Sequence, residues 1–101
     1  GEVSGTGYTA GGVTVTNANA VTATNSSSTA GVAYWTPSAS ITYTTVTLAT
    51  AFDTVLLYNS TQGNTAVSVH TFGSQTITAG TFTLTMPTNS TTLALIRLAT
   101  T

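Results

Sequence analysis

Gly80-Thr81-Phe82-Thr83-Leu84-Thr85-Met86-Pro87 alternates apolar and hydroxyl side chains at every second position. A period of two marks a strand with one covered face, because successive side chains leave a pleated backbone on opposite sides. The spacing points Phe82, Leu84 and Met86 toward a core and Thr81, Thr83 and Thr85 outward. Pro87 closes the run, since proline supplies no N–H to a ladder. Outward from here the same chemistry recurs. Phe52-Asp53-Thr54-Val55-Leu56-Leu57-Tyr58 is apolar on both faces and reads as a central, buried strand. Residues 65–72 alternate around Val67 and Val69, and residues 91–99 read as another largely buried strand. Shorter strands are expected at 13–16, 20–24, 29–35 and 41–43, with 44–51 either extending the last of these or forming a loop. Turn residues stand between them: Asn17-Ala18-Asn19, Asn25-Ser26-Ser27-Ser28, Asn59-Ser60-Thr61-Gln62-Gly63-Asn64, Gly73-Ser74-Gln75 and Thr88-Asn89-Ser90. Four glycines in residues 5–12 predict an irregular or bulged opening.

Strands at roughly 8–12-residue spacing predict an all-β fold. The expected architecture is a single domain over 1–101, with 1–12 as a Gly-rich opening segment. It is an antiparallel β-sandwich or small jelly-roll-like β-barrel of about 7–8 short strands. Composition agrees. Thr and Val are stiff at χ1 and suit a pleated surface, whereas the sequence has no Lys, one Glu and one Met among the good helix formers.

Charge is the outlying property. Soluble domains are about 25% charged, and here the figure is 3%: one Arg, two acids, net charge −1. The surface is therefore hydroxyl, amide and backbone. Removing a hydroxyl from water costs about 0.5–2 kcal/mol on octanol-like scales, against several for an ion. Such a surface repels copies of itself weakly and fits a subunit packed against neighbours. The charge balance offers no footprint for nucleic acid or an anionic membrane. No apolar run approaches the ~20 residues of a membrane helix, and with no Cys the redox compartment cannot be read.

Catalytic chemistry finds few materials. A Ser-His-acid set would need His70 with Asp53 or Glu2, and the spacing supports no oriented base. A paired-carboxylate glycosidase would need Glu2 and Asp53, with Glu2 at the chain end. One His and no Cys exclude a zinc site, and no P-loop or other cofactor motif is present. No cofactor, metal or catalytic residue is expected. Asp53 and Arg97 lie in apolar strands, where they either pair, within or between subunits, or point to solvent at an edge. Tyr34, Trp35, Tyr43 and Tyr58 combine apolar rings with polar ends and suit a glycan or subunit contact, or core packing. Sequons at Asn25, Asn59 and Asn89 are unremarkable in so Thr-rich a chain.

Three stretches are similar to a family of small bacteriophage virion proteins. Glu2-Val3-Ser4-Gly5-Thr6-Gly7-Tyr8-Thr9-Ala10-Gly11-Gly12 resembles that family's E-x-S-G-T-G-Y opening. Ile41-Thr42-Tyr43 through Val46-Thr47-Leu48 to Val55-Leu56-Leu57-Tyr58-Asn59 resembles an aromatic-ended strand followed by an A-x-I-Y-N/D strand. Ala66-Val67-Ser68-Val69, Phe72-Gly73 and residues 80–87 resemble its later strands. Thr71 stands where the family has an acid before Phe-Gly, so a role tied to that acid does not carry over. Members of the family carry a further segment before the opening motif, so this chain is expected to be shorter than they are or to lack that part. The resemblance implies a non-enzymatic structural subunit of a virion, foremost a capsid decoration or cement protein. It would pack as a homo-oligomer, with a trimer suited to a capsid three-fold, on the major capsid protein or another virion protein. Nucleic acid and membrane are not expected partners. The alternative is a tail, fibre or head-appendage subunit with a glycan- or host-binding role. A bacterial surface filament is a third reading of the same composition.

Overall fold

The computed structural model describes residues 1–17, 21–23 and 31–99. The fold is nearly all β. Five strands occur among the described residues: β1 (Thr22–Ala23), β2 (Val32–Trp35), β3 (Ile41–Asn59), β4 (Thr65–Leu84) and β5 (Ile96–Ala99). β1, β2 and β5 form one antiparallel sheet in that order, and β3 pairs with β4 in a second; neither sheet closes. Only Ser60–Gln62 and two turn residues separate β3 from β4, so these two strands run antiparallel. Asn59 caps that turn. Its Oδ1 accepts from the Thr61 N–H at 3.0 Å and the Thr61 hydroxyl at 2.7 Å. Gly63 (φ 65°) and Asn64 (φ 60°) supply the left-handed steps.

The expected seven or eight short strands are not seen. Much of the difference lies in β3 and β4, which are 19 and 20 residues long where about 5–6 is usual. The ambiguous tract 44–51 belongs to β3, and Gly73-Ser74-Gln75, expected as a turn, lies inside β4. The two prolines, Pro37 and Pro87, bracket this whole stretch, so nothing within it removes a backbone N–H. Gly73 is not in the left-handed region, and a Cβ built there meets nothing within 4 Å. A glycine without a tight turn to serve leaves the strand running. At the other end, 13–16 forms no strand, and of 91–99 only β5 is a strand. The latter follows a turn in which the Ala94 N–H donates to the Ser90 carbonyl (3.2 Å). The expected strand at 20–24 is represented by β1, its end residues 20 and 24 lying outside the described residues, as do the expected turn at 25–28 and positions 18 and 19 of the turn at 17–19.

Alternation in the long strands is interrupted at several points, two of them beside left-handed residues. Thr45 (φ 54°) and Ala79 (φ 46°) are left-handed although neither is glycine, and the Ala79 N–H donates to Thr47 Oγ1 at 3.0 Å. In β3 the covered positions are Ile41 and Tyr43, then Val46 to Leu48, then Phe52, and then the phase shifts to Val55, Leu57 and Tyr58. The expected burial of 52–58 on both faces is not found: Asp53, Thr54 and Leu56 are exposed, as they must be in a two-stranded ribbon. Residues 81–86 follow the expected alternation, with Phe82, Leu84 and Met86 half-buried and the three threonines exposed.

The chain divides into two compact units. The first, Gly1–Gly12 with Tyr43–Phe82, has Val46 and Leu48 as its buried residues. Its opening segment lies along β3 through an antiparallel bridge, Thr6 to Thr47. The second, Val13–Thr42 with Thr83–Thr101, buries Thr36, Pro37 and Ala94. Thr36 Oγ1 satisfies the Leu95 N–H at 2.9 Å, which is why a hydroxyl is tolerated at a buried position.

Candidate interaction surfaces

The first surface begins with the glycines. Gly7, Gly11 and Gly12 all have positive φ (79°, 88° and 72°), so residues 1–12 curl instead of extending. The curl brings Glu2 onto its own segment. Glu2 Oε1 accepts from the Tyr8 hydroxyl at 2.6 Å and from the Gly11 N–H at 2.7 Å. The two donors hold the Glu2 carboxyl below its ordinary range, the phenol contributing most. Tyr8 is pushed up in turn, by burial first and by its bond to Glu2 second. The closed loop then docks on β3. Tyr58 donates to the Gly11 carbonyl at 2.6 Å, and Tyr43 packs its ring 5.6 Å from that of Tyr8. Burial, and then the Glu2 charge, push the Tyr43 phenol up. From Tyr43 a row of rings continues through Phe82 (6.4 Å) to Phe52 and Phe72, which meet edge-on at 5.9 Å. Offset and edge-to-face rings at these separations attract beyond simple area burial.

The second surface lies on the sheet of the other unit. The register pairs Ala33 with Leu98 and Trp35 with Ile96, so these four side chains share one face; Tyr34 and Arg97 share the opposite one. Together with Val21 and the edge of Tyr34, the first four line a shallow groove of about 210 Å³ with no polar lining. Val21 is 74% exposed and Leu98 71%. Trp35 Nε1 donates to Asn17 Oδ1 at 3.1 Å, which settles the ring's polar end.

The four aromatic candidates therefore divide between units. Tyr43 and Tyr58 hold the opening loop, whereas Tyr34 and Trp35 belong to β2. Asp53 and Arg97 are also in different units, and both are exposed. Asp53 accepts from the Thr54 hydroxyl at 2.7 Å and Arg97 Nη1 donates to the Thr92 carbonyl at 2.6 Å. Glu2, Tyr8 and Gly11 were not singled out as a site from sequence. Their signal was present in the glutamate and tyrosine flanking Gly5 and Gly7, but a lone carboxylate beside a Gly-rich run looks unplaced until the turn is drawn. Ser68 Oγ and His70 Nε2 lie 2.9 Å apart, as residues two apart on one strand face will. No carboxylate bonds to His70 among the described residues, and these contain no group of three or more metal-ligating side chains. No helix among them is long and apolar enough to cross a membrane.

Comparison with protein-family models, curated proteins and solved structures finds no match to this chain.

Proposed function

We propose that this chain is a non-enzymatic structural subunit of a bacteriophage virion, foremost a decoration or cement protein on a capsid. It would act as a homo-oligomer seated on the major capsid protein or another virion protein. One observation carries the reading. Large apolar side chains stay exposed on open sheets in a chain with three charged residues: Val67 (54%), Val69 (61%) and Leu98 (71%), with Val21 (74%) just before β1. Monomers guard open sheet edges and faces with lysine, proline or short strands. Neither long strand here contains lysine or proline, so a neighbour is the natural cover. The sandwich expected from the sequence, with the two open sheets as its layers, belongs to the same proposal.

Trp35 in the apolar groove favours the second reading, a tail, fibre or appendage subunit that binds glycan. Copy number in purified particles separates the two. Stoichiometry near that of the main shell protein supports decoration, and a few copies per particle support an appendage. Glycan-array binding lost in Trp35→Ala supports recognition. A monomer that turns over a substrate in a manner dependent on His70 or Asp53 defeats both readings.

A further inference from the structure

We infer that β5 is a self-pairing edge: it adds antiparallel to β5 of a second copy around a two-fold axis at Leu98, joining two three-stranded sheets into one of six. The inference rests on the oligomeric-subunit reading and names its contact. In the order β1-β2-β5, the last strand has a neighbour on one side only among the described residues. Its sequence, Ile96-Arg97-Leu98-Ala99, contains no proline or lysine; at four residues it is short, so the exposed apolar face beside it shares the contact. The one charge there is turned back on its own chain, with Arg97 Nη1 on the Thr92 carbonyl.

Geometry then selects the register. Residues opposite one another in an antiparallel pair point to the same face. A two-fold perpendicular to the sheet keeps each face on its own side, so only registers in which one residue opposes itself are allowed, and of these the centres at Arg97 and Leu98 pair three residues of β5 with three of its copy, against one for Ile96 or Ala99. Centring on Arg97 sets two guanidiniums directly opposite, which is repulsive. Centring on Leu98 sets Leu98 against Leu98 and Arg97 against Ala99. It also makes the apolar groove of Trp35, Ile96 and Leu98 continuous with that of the partner. The occupant has to be as free of charge as this face, since an ion buried against it would lose its water for no partner. A second copy of the same edge meets that requirement and supplies the matching register.

The test is a charge exchange read by sedimentation velocity across a concentration series. Wild type is expected to associate in even-numbered species. Leu98→Lys and Leu98→Asp should each weaken association at least about tenfold, through opposed like charges and lost apolar contact, and mixing the two variants should restore it. Leu98 is 71% exposed, so both substitutions are tolerated within the protomer, and far-UV circular dichroism confirms it. Should either variant fail to fold, wild-type hydrogen exchange decides: protection of 97–99 rising with concentration supports the edge, and its absence overturns it. Variants that keep wild-type mass, or a wild-type odd-numbered ring, overturn the two-fold edge and leave the oligomeric reading standing. A wild type monomeric at every concentration removes both.

Discussion

Glu2 shows how one ion can organise a segment. Its carboxyl is held below the ordinary value of 4.5, so the clasp contributes fully above that pH and is lost as pH falls through the lowered value. Protection of the Gly11 amide, taken as its hydrogen-exchange rate relative to the intrinsic rate at the same pH, should therefore be high at neutral pH and fall on acidification below about 4.5. In Glu2→Gln the same amide should be less protected at neutral pH, with a protection factor that depends little on pH. Tyr8→Phe, which removes the leading donor, should move the transition upward toward pH 4.5. Thr45 is a residue of the opposite kind, a β-branched side chain at φ 54°, where a left-handed backbone costs roughly 1–2 kcal/mol. Thr45→Asn should raise stability by up to about 1 kcal/mol, read from a denaturant midpoint, because asparagine tolerates that region.

The long ribbon and the strap along it are where the sequence could be read least directly. Residues 81–86 were legible because alternation there is unbroken and Pro87 ends it. The length of β3 and β4 was not, because turn-type residues do not make a turn unless the backbone needs one. Gly73 is the clear instance. It lies extended with open space around it, so Gly73→Val should stabilise the protein by about 0.5–1 kcal/mol, removing glycine's entropy cost and adding β propensity. A true turn at this site would give a loss in the same thermal melt. Gly5 is the contrast. A Cβ there would overlap the Thr47 carbonyl oxygen, so Gly5→Ala should cost about 1–3 kcal/mol and speed exchange of the Thr47 amide, which donates to Thr6 at 2.9 Å. The four aromatic candidates were legible as residue types; their partition between loop docking and groove was not, because it depends on long-range pairings that no local spacing encodes.

For the molecule as a whole, a surface with three charges fixes how it responds to its medium. Screening acts on ions, so association driven by apolar and hydroxyl faces should change less than about twofold between low and high sodium chloride, and should strengthen in sulfate. Sedimentation in the two salts checks this, and steep weakening by sodium chloride would point to an ionic contact instead. The all-β class was legible at this level, since Thr and Val content with few helix formers leaves little else. The thin cover over the apolar residues was not, for composition says how much apolar surface exists and not how much one chain can hide. Arg97 brings a practical corollary. Trypsin cuts after basic side chains, and this polypeptide has a single one, placed in the middle of β5 with its guanidinium tied down. A protease must peel a strand free before it can cleave, so digestion doubles as a clock for how often that strand comes loose, and a bound neighbour would slow the clock.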